Sequence, residues 1–125
     1  MRRYRKGFVG VCFMILLLTA CGKKEDVVTN LSYVATAYDL QYDYFNSEKT
    51  YQFDMEAGDT LSMKIDCSEG SLDVKVVNIE NEELYHEELL VSMSVDVPIE
   101  EAGRYIVVMT GKETAGGIHM EVAQK

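Results

Sequence analysis

The sequence predicts an all-β fold: one antiparallel β-sandwich, jelly-roll-like, of about seven or eight strands. Three observations predict it. Apolar and polar residues alternate with a period of two through most of the chain beyond Tyr38. Turn-forming residues interrupt these runs at intervals of roughly 8–12 residues. Two further runs are apolar on both faces, as suits strands covered on both sides.

The elements follow in order. Val27 to Ala37 reads either as linker or as a first edge strand. Tyr38, Leu40, Tyr42 and Tyr44 share one face if extended. Tyr51, Phe53 and Met55 alternate with Thr50, Gln52 and Asp54. Leu61, Met63, Ile65 and Cys67 alternate with Ser62, Lys64 and Asp66. Leu72 to Ile79 and Tyr105 to Met109 are the two doubly apolar runs. Asn81 to Leu90 is open between a short strand and a helical turn, because four glutamates surround its apolar residues. Val91 to Val97 and Ile118 to Val122 alternate again. Turn signals fall at Asn46-Ser47, Ala57-Gly58-Asp59, Glu69-Gly70, Glu80-Asn81, Glu101-Ala102-Gly103 and Gly116-Gly117. Pro98, the one proline, is expected at a strand end, where its missing N–H costs no ladder bond.

The N-terminus carries a different signal. Arg2, Arg3, Arg5 and Lys6 precede an apolar run from Gly7 to Leu18, and the first acid is Glu25. A membrane-spanning helix needs about 20 apolar residues, so this shorter run reads as the core of a signal peptide. It ends in Leu18-Thr19-Ala20-Cys21, which resembles the lipobox of bacterial lipoproteins. The resemblance implies cleavage before Cys21, acylation of its thiol, and attachment to the extracytoplasmic face of the cell membrane. Two acyl chains hold a protein stably where one does not. The expected organisation is a signal peptide over 1–20, a lipidated cysteine and short polar tether over 21–30, and a β-sandwich over 31–125.

Removing residues 1–20 leaves 8 Lys and Arg against 21 Asp and Glu, a formal charge of −13. Such a domain repels nucleic acid and anionic headgroups. Lys23 and Lys24, beside the lipid, are the local exception. Once Cys12 leaves with the signal peptide and Cys21 is acylated, Cys67 is the sole remaining thiol, so no internal disulfide can form. An exported domain without disulfides is compatible with a Gram-positive surface.

From Thr50 to Val122 the chain also resembles the pre-peptidase C-terminal domain type of β-sandwich. The residues that carry this are Tyr51-Gln52-Phe53, Ala57-Gly58-Asp59-Thr60-Leu61, Gly70-Ser71-Leu72-Asp73-Val74, Glu101 to Val108, and Gly116-Gly117-Ile118. The resemblance implies an accessory module. The enzyme domain that usually accompanies one is missing here, and so is tryptophan.

No catalytic constellation stands out. His86 and His119 have no second ligand at a familiar spacing and read as surface residues. The adjacent acid pairs Glu82-Glu83, Glu87-Glu88 and Glu100-Glu101 point to opposite faces of a strand, which suits them poorly to shared acid–base work. Asp59 and Asp66 are the turn carboxylates available to calcium, without an Asp-x-Asp-x-Asp-Gly loop. Cys67 falls on an inward face. No serine lies in a Gly-x-Ser-x-Gly elbow, and Gly116-Gly117 precedes a strand, not a phosphate-binding helix. No enzyme and no cofactor is expected.

The tyrosines at 33, 38, 42, 44 and 51, with Phe45, offer rings with polar tips. They read either as core or as an interaction face, for which Tyr38, Tyr42 and Tyr44 are the candidates. The expectation is a membrane-held binding module near the bilayer, docking an envelope protein on that face or on a strand edge. The alternative is a carbohydrate-binding module for wall or external glycans.

Overall fold

The computed structural model describes residues 25–124, which form seven strands and no helix. In chain order they are β1 (Val27–Val34), β2 (Ala37–Phe45), β3 (Glu48–Met55), β4 (Thr60–Asn78), β5 (Glu83–Leu89), β6 (Met93–Pro98) and β7 (Gly103–Ala123). Every pairing is antiparallel, and all seven strands belong to one sheet.

The frame is the pair β4 and β7, 19 and 21 residues long. They pair from Thr60 opposite Ala123 to Asn78 opposite Tyr105, and the register slips on both sides of Glu69. The slips divide each strand into halves with different neighbours. The first half of β4 carries β6, and the last part of β7 carries β2 with β1 beyond it. The second half of β4 carries β5, and the first part of β7 carries β3. Two layers result, β1-β2-β7-β4-β6 and β3-β7-β4-β5. They face each other across one core: Leu40, Met63 and Ile118 come from the first layer, Phe53, Val74 and Val107 from the second. Tyr38 and Tyr51 sit on strands that share no ladder, yet their ring centroids are 4.5 Å apart. The expected β-sandwich is present, built from a single sheet bent onto itself.

The bend corrects part of the sequence reading. Glu69-Gly70 and Gly116-Gly117 do not end strands. Glu69-Gly70 lie at the register slips inside β4, and Gly116-Gly117 are paired residues inside β7 next to them, so four expected strands are two long ones. Gly70 and Gly116 take φ of +63° and +137°, which glycine adopts at little cost and most side chains do not. A Cβ on Gly116 would lie 2.0 Å from the carbonyl oxygen of Asp66, so the two backbones meet there only because no side chain intervenes.

Alternation holds in β4, where Leu61, Met63, Ile65 and Cys67 are buried and Lys64 and Asp66 between them are exposed; over Val91 to Val97 it fails, since Val91 lies outside β6 and is exposed with Met93, and only Val97 is buried. Asn81 to Leu90 resolves as a strand, β5, entered through Asn81 at φ 65°. Val27 to Ala37 contains β1, which begins at Val27, inside the segment expected to be tether. Pro98 ends β6.

The two ends of the sandwich differ. At the bend end lie the bulges of β4 and β7, the start of β1 (Val27 opposite Tyr44), the β2–β3 turn and the β5–β6 loop. At the open end lie the loops 56–59, 79–82 and 99–102. Backbone bonds Gly58 N to Ile99 O (2.8 Å) and Ile99 N to Asp59 O (2.9 Å) join two of them.

Candidate functional site

The sequence-predicted residues land in different places. Cys21 and the lipobox lie outside the described residues. Tyr38 and Tyr42 are 4% and 3% exposed, facing the core, and Tyr44 is half-buried beyond an irregularity between Tyr42 and Phe45. The three therefore do not form one exposed surface. In a small sandwich without tryptophan, Tyr38 and Tyr42 supply the bulk that fills the core. The Tyr42 hydroxyl is buried beside Thr114 and Cys67 with no hydrogen-bond partner of ordinary geometry, and burial pushes its pKa up to about 12.

Cys67 is buried, its sulfur near the carbonyls of Glu69 and Gly70 and the Thr114 hydroxyl. Asp59 is buried too, and its carboxylate accepts the Glu56 N–H at 2.9 Å, closing its own turn. Asp66 is exposed. His86 Nε2 sits 2.9 Å from Asp73, and His119 Nδ1 3.4 Å from Asp39. Each histidine thus pairs with an acid on a solvated sheet face. Among the described residues no group of three or more His, Cys, Asp or Glu is arranged to hold a metal ion.

The surface that stands out is β1, which the sequence left undecided. All eight of its residues are exposed, and it pairs with β2 alone, so its outer rim of N–H and C=O groups has no strand beside it. Leu31 stands opposite Leu40 and Tyr33 opposite Tyr38, which puts both on the core side of the sheet. The facing layer ends at β3, however, and Leu31 and Tyr33 stay 47% and 61% exposed. The Tyr51 hydroxyl reaches from β3 to the Val34 carbonyl at 3.1 Å, and the rings of Tyr33 and Tyr51 lie 5.4 Å apart. β1 is also free of charge. The other edge strands carry it: Glu48, Lys49 and Asp54 on β3, Glu83, Glu87 and Glu88 on β5, Asp96 on β6. Charge on an edge normally deters strand addition, and β1 lacks that protection.

Beside β1 lies a cleft of about 150 Å³ lined by Tyr33, Tyr38, Asp39 and His119 among others. Asp39 is its polar centre, taking hydrogen bonds from Asn30 Nδ2 at 2.9 Å and Gln41 Nε2 at 3.1 Å. A larger cleft, about 350 Å³, opens among the open-end loops between Asn78, Glu82, Glu101 and Tyr105.

No protein-family model and no curated protein matches the chain, so the resemblance to pre-peptidase C-terminal domains gains no support. Distant likenesses exist among solved structures. One, described as "CBM4 structure and function", is 9% identical over 80% of this chain and 78% of that one, with a TM-score of 0.46. TmCBM61 in complex with β-1,4-galactotriose is 12% identical over 76% and 69%, at 0.45. A chain of the Glycosylation Associate Protein (Gap123) complex from Streptococcus agalactiae is 15% identical over 74% of this chain and 38% of that one, at 0.40. At such low identity and overlap these likenesses carry no information about what this chain binds. The fold itself defines an all-β, two-layered domain with one uncharged, unpaired edge.

Proposed function

We propose that this chain is a lipid-anchored, extracytoplasmic and non-catalytic binding module, attached to the cell membrane through acylated Cys21 and docking an envelope protein along β1. The N-terminal pattern ending in Leu18-Thr19-Ala20-Cys21 supports the anchor. The observation that carries the docking is the edge of β1: uncharged, exposed along its length and unpaired on its outer side. An extended segment of a partner adds to such an edge through main-chain hydrogen bonds, and its side chains pack on Leu31 and Tyr33. From Glu25 to Glu48 the chain has five acids and no Lys or Arg, so the partner segment carries basic flanks.

A photoreactive residue in place of Ser32, in the full chain on intact cells, tests this. The expected result is a protein adduct that disappears with Leu31→Lys, with no adduct from the same group at Ser94 on β6. Equal adducts from both edges, or none from Ser32, contradict it.

The second reading, glycan binding, is favoured by the cleft beside Tyr33, where a largely exposed ring borders the hydrogen-bonded Asp39 and His119. A ring and a fixed carboxylate suit the face and hydroxyls of a sugar. Titration with wall glycans, repeated on Tyr33→Ala, tests it; heat that persists unchanged in the variant places any sugar elsewhere.

A further inference from the structure

We propose that the bend end of the sandwich rests on the bilayer, with the β5–β6 loop tip Leu90-Val91 seated among the lipid headgroups. This rests on the anchor reading and adds an orientation to it. The chain outside the described residues joins the domain at the bend end: Asp26 accepts the Asn46 N–H at 2.7 Å and the Ser47 hydroxyl, both in the β2–β3 turn. Five residue steps separate Cys21 from Asp26, a reach of about 17 Å at most. The open end lies a further strand length away, roughly 26 Å for a strand like β1. A lipid on Cys21 therefore holds the bend end, and not the open end, against the membrane.

That end presents an apolar tip. Leu90 and Val91 are 67% and 66% exposed, Met93 beside them is 37% exposed, and Val27, 48% exposed, lies at the same end on the opposite edge strand. The base of the loop is fixed: Leu89 is buried, and Ser92 Oγ accepts the Cys67 N–H at 3.0 Å. Two large apolar side chains on a rigid loop, unneeded by the core, are suited to shallow burial in the headgroup region. Charge sets the lipid preference. Glu25, Asp26, Glu69 and Glu113 cluster at this end, while Lys112 pairs with Glu88 at 3.2 Å. These four carboxylates outnumber Lys23 and Lys24 beside the anchor and repel anionic lipid, so a neutral phosphatidylcholine surface admits the tip more deeply than one rich in phosphatidylglycerol.

The chain contains no tryptophan, so a single introduced one reports without background. Val91→Trp and Ile79→Trp, the latter at the open end and 72% exposed in the parent, are placed in the full lipidated chain on phosphatidylcholine vesicles, plain or brominated on the acyl chains. The expected result is blue-shifted emission at position 91 that bromine quenches, as seating at the boundary of headgroups and acyl chains requires. Emission at 79 stays unquenched, and phosphatidylglycerol weakens the quenching at 91. Water-like, unquenched emission at 91 on protein that floats with the vesicles overturns the orientation and leaves the anchor standing. Equal quenching at 91 and 79 overturns it as well. Protein that does not float, and carries no lipid on Cys21, removes the anchor reading and this inference together.

Discussion

The two ends of this sandwich are built on different principles. At the bend end the backbone is crowded: Gly70 and Gly116 have positive φ, bulges run through both long strands, and the Tyr42 hydroxyl is buried unpaired. At the open end positive φ recurs at Gly58 and Asn81, but in loops closed by hydrogen bonds that are made, such as Gly58 to Ile99 and Tyr105 Oη to the Glu101 carbonyl. The difference shows where a single sheet carries the cost of becoming two layers. The close backbone approaches sit at the fold line, where a Cβ on Gly70 or Gly116 would lie 2.3 or 2.0 Å from a carbonyl oxygen.

The largest expected effect breaks the bend. Gly116→Ala puts a methyl into the Asp66 carbonyl at a φ of +137° and should cost about 3 kcal/mol, read as a lower denaturant midpoint. Gly103→Ala at the open end, where a Cβ meets nothing within 4 Å, should shift stability by about 0.5 kcal/mol or less. Equal costs at the two glycines would remove the contrast.

Next comes the buried phenol. Tyr42 has its pKa raised from 10.0 to about 12 by burial, so the folded state holds this proton more tightly than the unfolded chain. Its contribution is fully present below pH 10 and is lost as pH rises through 12, about 3 kcal/mol in all. Tyr42→Phe should be near neutral at pH 7, since an unpaired hydroxyl is removed, and should flatten the alkaline loss. Urea melts at pH 7 and pH 11 read both effects.

Tyr105→Phe, at the open end, deletes a hydrogen bond that is made and should cost about 1 kcal/mol at neutral pH, the opposite outcome to Tyr42→Phe. The smallest effect on stability belongs to Leu31→Lys. Leu31 faces the same way as Leu40 but is about half exposed, so the thermal midpoint should move by only about 2 °C or less, while docking on β1 is lost.

Most of the fold was legible because half-buried strands write their burial into alternate residues, as in Leu61 to Cys67. What misled was glycine: Glu69-Gly70 and Gly116-Gly117 have turn chemistry, but a bulge uses the same positive φ without ending the ladder. The site was less legible. Tyr38 and Tyr42 share one side of β2, and a period of two says so without saying whether another layer covers it; the irregularity before Phe45, which takes Tyr44 out of that alternation, leaves no mark in the sequence. β1 offers only a short alternation, Asn30 to Tyr33, which says that Leu31 and Tyr33 share a side and not that the side is left uncovered. Its other sequence signal was the absence of charge from Val27 to Val34 in a chain with 21 acids.

Amide exchange on the full chain, in its native membrane and in detergent, tests the account most directly. It predicts that β1 and residues 90–92 gain protection in the membrane, while the open-end loops 79–82 and 99–102 exchange alike in both. Unchanged exchange along β1, or protection at the open end instead, would contradict a module that stands on its bend end and offers β1 to a partner.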